Sequence, residues 1–112
     1  MRRLTGVGEH PDRLDAIMFD ELVPLHLARL ELDRRIIDYA ESLRDSDLEK
    51  MWDYRTLNGS PQRQRLRESL AHIFNHQTHH RGQAHAIISV LGLAEPDARD
   101  LLIMQREQKT TI

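Results

Sequence analysis

Leu70-Ala71-His72-Ile73-Phe74-Asn75-His76-Gln77-Thr78-His79-His80-Arg81-Gly82-Gln83 places four of the chain's seven histidines within nine residues. Apolar and polar residues alternate there with helical rather than strand periodicity, and the pattern continues to Leu91. The spacing predicts one long helix over 66–91, with Gly92 as its left-handed stop. Each helical residue advances about 100°, so His72 stands near −40°, His79 near −60° and His80 near +40° relative to His76. Gln83 and Ile87 fall within about 20° of His76 on the same estimate. Ser69, His72, Ile73, His76, His80, Gln83, Ile87 and Val90 therefore form one stripe, an apolar face with imidazoles set into its middle. His85 points about 180° away and reads as a solvated or packing residue.

Histidines at i and i+4 stack one turn apart, so their ring nitrogens can meet at one ion. No glutamate lies between them, so the pair lacks the built-in general base of a His-Glu-x-x-His zinc hydrolase. Spacing alone also fits a hydrogen-bonded or exposed pair, the more frequent meaning in a chain with seven histidines. His72, His76 and His80 together cover about 11–12 Å of helix axis, too far for one ion at about 2 Å from each nitrogen.

N-terminal to this helix, Trp52-Asp53-Tyr54-Arg55-Thr56-Leu57-Asn58-Gly59-Ser60 carries β-favouring residues before an Asn-Gly turn signal. Its polar far side, Gln62 to Arg65, suits a short edge strand, so a β ribbon is expected around 54–65. From Asp20 to Leu43, Leu25, Leu32, Ile36, Tyr39 and Leu43 mark a second helix, with Asp20 as N-cap and Pro24 in the first turn. Ser46 and Glu49 have capping-box spacing for one short turn. Residues 1–20 read as a loop with a turn near Leu14 to Met18. Pro96-Asp97 opens a last helix to about Glu107, after which Lys109 to Ile112 frays.

The chain is 112 residues long, enough for a single domain with one core. With five aromatic residues and apolar content dominated by Leu and Ala, the composition favours helices. Sixteen basic and 18 acidic residues give a net charge of −2, which provides no pull toward nucleic acid or an anionic membrane. No apolar run reaches the length of a membrane span, and no signal peptide stands at the N-terminus, so a cytoplasmic location is expected. The absence of cysteine excludes disulfides, a thiolate nucleophile and a Cys-ligated metal. Arg63, Arg65 and Arg67 form a basic run that could meet phosphate but better fits a solvated helix start. Asp45, Asp47 and Glu49 read as surface charge. Trp52 and Tyr54 fit either a ribbon anchor or a pocket lining.

Asn75 and His76-Gln77-Thr78-His79-His80-Arg81-Gly82-Gln83 closely resemble the C-terminal signature of the DinB family (DinB/YfiT-like metal-binding four-helix-bundle proteins). The likeness is specific over Leu70 to Gly92. It extends more loosely through Ile36-Ile37, Tyr54 to Gly59, Gly92-Leu93 and Pro96-Asp97. The resemblance implies an all-α fold, a four-helix bundle with a short ribbon, and His76 and His80 as metal ligands. His79 matches a position that tolerates tyrosine in the family and is not counted as a ligand. The third ligand of such sites is a histidine on the second helix, and Met1 to Gly6 resembles the last turn of that helix. An N-terminally incomplete bundle lacking two helices is therefore expected; His26 could replace the missing ligand only if its helix packs beside the cluster with His26 facing inward, and His10, in a loop, is the weaker candidate still.

The implied cofactor is a divalent ion (zinc, nickel, iron or manganese), since imidazoles alone do not choose among them. The implied activity is metal-dependent hydrolysis or thiol transfer, with a low-molecular-weight thiol or other small molecule as substrate. The alternative is a non-catalytic scaffold. Helix stripes left without neighbours also predict self-association, with a homodimer expected.

Overall fold

The computed structural model describes residues 2–6, 8, 11–94 and 101–110. They are mostly helical, with one two-stranded ribbon. The order is α1 (Arg2–Thr5), α2 (Leu22–Ser42), α3 (Asp45–Leu48), β1 (Met51–Arg55), β2 (Pro61–Arg65), α4 (Leu66–Val90) and α5 (Leu101–Thr110). The chain divides into two units, residues 1–71 and 72–112, and α4 runs from one into the other. No helix among the described residues is long and apolar enough to cross a membrane.

In the first unit, α1 ends at Gly6 in the left-handed region (φ +72°). The expected N-terminal turn is present around Leu14-Asp15, closed by a bond from Ala16 N to Arg13 O at 3.5 Å. The second helix is capped by Glu21 rather than Asp20, without a side-chain hydrogen bond. Pro24 accounts for the shift. Its first intrahelical bond runs from Leu25 N to Glu21 O, at 3.3 Å, which places Pro24 third in the helix, among the donors that have no intrahelical partner. A cap at Asp20 would instead require an N–H from Pro24.

At α3 the expected Ser46/Glu49 box gives way to one two residues earlier. Arg44 N donates to Asp47 Oδ2 at 2.9 Å, and Asp47 N donates to Arg44 O at 2.8 Å. Lys50 Nζ also reaches Asp47 Oδ1, at 2.5 Å. These contacts, Lys50 foremost, hold the Asp47 carboxyl down to about 2. Asp47 is thus a capping residue rather than loose surface charge, unlike the expectation above.

The ribbon is antiparallel and begins at Met51, three residues before the expected start, pairing Met51 with Arg65 and Arg55 with Pro61. Alternation explains the early start: Trp52 and Tyr54 both point to the half-buried side, and their rings stack with centroids 4.5 Å apart. At the tip, Gly59 takes φ +86° while Asn58 does not take a positive φ. Gly59 N bonds to Thr56 O and Thr56 N to Ser60 O, both at 3.0 Å. This is a three-residue loop with its left-handed position on glycine. Thr56 Oγ1 and Asn58 Oδ1 are also bonded to each other.

No loop separates β2 from α4. Leu66 N donates to Lys50 O at 2.9 Å, Glu68 Oε2 accepts from Arg65 N at 3.3 Å, and Trp52 Nε1 donates to Ser69 Oγ at 2.8 Å. Leu66 and Ser69 are the buried residues among those described. At its far end α4 closes as expected: Gly92 at φ +69° bonds to Ser89 O (3.0 Å), and Leu93 N bonds to Ile88 O (3.2 Å). The last helix runs to Thr110, so Lys109 is helical rather than frayed. The expected start at Pro96-Asp97 lies outside the described residues.

Ser69→Ala leaves the half-buried Trp52 Nε1–H without its acceptor. We expect a loss of about 1–3 kcal/mol in urea unfolding, with a shift in tryptophan emission. An unchanged midpoint would show that water replaces the hydroxyl at no cost.

Candidate metal centre

All four clustered histidines lie on α4 within the second unit, and the helix is unbroken from Leu66 to Val90. His76 and His80 point to the same side, as their spacing predicts, with their Nε2 atoms 2.9 Å apart. Their rings meet edge to face, with centroids 4.4 Å apart and planes at 84°. His80 Nδ1 stands 2.8 Å from Gln83 Oε1. With Gln83 Oε1 as the acceptor, this contact puts the His80 proton on Nδ1 and leaves Nε2 as an acceptor. The short Nε2–Nε2 contact is then a bond donated by His76 Nε2–H to His80 Nε2. Gln83 was legible as a neighbour on the stripe. Asn75 is exposed and makes no side-chain hydrogen bond to the pair among the described residues.

His72 also stacks on His76, with centroids 5.5 Å apart and planes at 25°. His79 is near both, with centroids 6.2 Å from His76 and 5.3 Å from His80. Loss of water around the ring, followed by the charges of His80, His72 and His79, pushes His76 below the ordinary histidine value. The neutral imidazole is the form the fold favours. That contribution is present above about pH 6.5 and is lost as pH falls through the lowered pKa of His76.

Among the described residues, no group of three or more His, Asp or Glu side chains is arranged to hold one ion. His26 lies on α2, in the first unit, and belongs to no such group. His10 falls outside the described residues. His85 is half-buried and makes no ring contact with the cluster. The stripe is mixed in exposure: Ser69 is buried, Ile73 is half-buried, and His72, His76, His80, Gln83, Ile87 and Val90 are exposed. Thr78 does not face the pair; its hydroxyl donates to Phe74 O at 3.1 Å and accepts from Arg81 Nη2 at 3.0 Å.

A depression of about 420 Å³ lies on the ribbon, lined by Asp53, Tyr54, Arg55, Pro61, Gln62 and Arg63. Tyr54 therefore lines a surface hollow, whereas Trp52 anchors the ribbon to Ser69. The hollow contains none of the four clustered histidines. Arg63 leans toward Asp53 at 3.8 Å and Arg67 pairs with Glu49 at 2.9 Å, so two members of the basic run have carboxylate neighbours.

In comparisons with known proteins, the model of the DinB family matches residues 20–110. No curated protein and no solved structure matches the chain with significance.

An NMR titration of the imidazole resonances should place the His76 midpoint below the ordinary histidine value. Replacing His80 with alanine removes one of the charges that lower it, so the midpoint should rise. A His76 midpoint that does not respond to His80→Ala would show that the two rings separate in solution.

Proposed function

The chain belongs to the DinB family, and on that premise we propose that His76 and His80 bind a divalent metal ion. The observation that carries this reading is the 2.9 Å approach of the two Nε2 atoms on one helix face. Two nitrogens each about 2.0–2.1 Å from one ion stand roughly 2.9–3.4 Å apart, so the pair fits the donor set with little adjustment. Gln83 supports the fit, because accepting from His80 Nδ1–H orients the ring and leaves Nε2 unprotonated. Holding the ion would require the His76 proton to move from Nε2 to Nδ1, so that the neutral ring presents its Nε2 lone pair. The lowered proton affinity of His76 favours a neutral ring at neutral pH.

The function proposed is a metal-dependent hydrolase or thiol transferase. Bound there, zinc, nickel, iron or manganese would lower the pKa of a water or thiol and supply it as nucleophile. This chain contributes the two imidazoles and the orienting amide. It has no cysteine, so a reacting thiol belongs to a cofactor or substrate. Two nitrogens hold an ion far more weakly than three.

Calorimetric titration with nickel or zinc should therefore show weak binding that disappears in His76→Ala and in His80→Ala and persists in His85→Ala. It should weaken as pH falls and protons compete for the same nitrogens. Equal losses in all three variants would reduce the binding to nonspecific histidine affinity.

The exposed apolar side chains of α2 favour a second, non-catalytic reading as a self-associating scaffold. Val23, Leu27, Leu30 and Ile37 recur at helical spacing on one side and are 69%, 60%, 53% and 54% exposed. Removing several such side chains from water, at about 1.5–3 kcal/mol each when fully buried, is enough to offset the cost of association. Light scattering in the presence of a chelator should then report a species larger than one chain. A monomer at high concentration would remove the scaffold reading.

A further inference from the structure

Resting on the metal reading above, the geometry points to one divalent ion shared between two copies of this chain, each supplying His76 and His80. Three observations support this. First, the two imidazoles are exposed on α4 and already converge, Nε2 to Nε2 at 2.9 Å, with His80 oriented by Gln83. The donors are arranged before any partner arrives.

Second, no third donor stands beside them among the described residues, so donors from a second copy would meet no competitor there. Beyond Ser69, α4 carries no aspartate or glutamate, so the side-chain donors around the pair are imidazoles.

Third, the surface around the pair suits a copy of itself. Its exposed members His72, His76, His80, Gln83, Ile87 and Val90 include no lysine, arginine, aspartate or glutamate, so the face brings no fixed charge against its copy. Ile87 and Val90 are 59% and 86% exposed, and they add apolar surface on the same side of the helix. An ion on a two-fold axis receives the same two nitrogens from each copy. Four nitrogens complete the four-coordinate shell that zinc prefers.

The test is a zinc titration of the full chain above pH 7, monitored together by bound zinc per chain and by light scattering. We expect saturation at about half a zinc per chain. It should be accompanied by an increase in mass beyond whatever association persists in chelator, and chelator should reverse it. His76→Ala and His80→Ala should each abolish the zinc-dependent step, while His85→Ala should leave it intact. Alanine suits an exposed helix position, and far-UV circular dichroism confirms that each variant stays folded. His80→Gln supplies a second loss of the ring nitrogen with a polar side chain retained.

Saturation at one zinc per chain, lost in the same variants but without an increase in mass, would overturn the shared ion and leave the metal reading standing. Zinc uptake indifferent to His76 and His80 would overturn both.

Discussion

The helical path of α4, which starts at a hydrogen-bonded junction with the ribbon, is the constraint on which the rest depends. Leu66 is buried and bonded to Lys50 O, and Ser69 is buried and bonded to Trp52 Nε1, so the first turn of the helix is held at two successive positions on the ribbon. An unbroken α-helix has no freedom of phase once its first turn is fixed. His76 lies seven residues beyond Ser69 and His80 eleven, so both fall near the azimuth of Ser69, displaced along the axis. The backbone thus brings the rings together before any ligand does. The stacked Trp52 and Tyr54 rings and the ribbon register belong to the same junction within the first unit.

Much of this was legible in the sequence, because the decisive signals are local. The α4 periodicity, its Gly92 stop and the i,i+4 pairing require only helix geometry, and all three are present. The Asn58-Gly59 signal located the hairpin, but the φ requirement fell on glycine alone, so the loop is one residue longer than a two-residue turn. Pro24 marked the start of α2, yet the cap moved to Glu21 because proline's missing N–H is tolerated only among the unbonded donors. That correction follows from counting hydrogen bonds. Asp20 was favoured as the better capping residue type.

The features that were not legible depend on contacts between residues distant in sequence or on competition among similar groups. Nothing in the local pattern links Trp52 to Ser69, 17 residues apart. Asp47 is one of three acidic residues in Asp45-Ser46-Asp47-Leu48-Glu49, and the choice among them rests on which carboxylate can reach both Arg44 N and Lys50. At the site, spacing predicted that His76 and His80 converge and that Gln83 lies nearby. It did not predict that Gln83 would engage Nδ1, which determines which nitrogen of His80 stays free. Nor does spacing identify what completes a coordination shell beyond two nitrogens. A single helix turn holds no more than a pair, and any third donor comes from another element or another chain.

Exposure determines how much that pair can accomplish alone. In water, crowding between imidazoles is screened, so the histidine cluster on α4 is tolerated with a lowered His76 pKa and no compensating carboxylate. The same solvent weakens what an ion held there can do. Fixed charges stabilise a developing negative charge most effectively where water is excluded, and bulk water competes for every open coordination position. A pair oriented by the helix and by Gln83 therefore supplies two converging nitrogens without the exclusion of water that metal catalysis there would need. Covering this face of α4 would supply both the missing donors and the exclusion of water, so ligand completion and burial of the stripe are one requirement. Any arrangement that makes this surface catalytic has to bring a second surface against it.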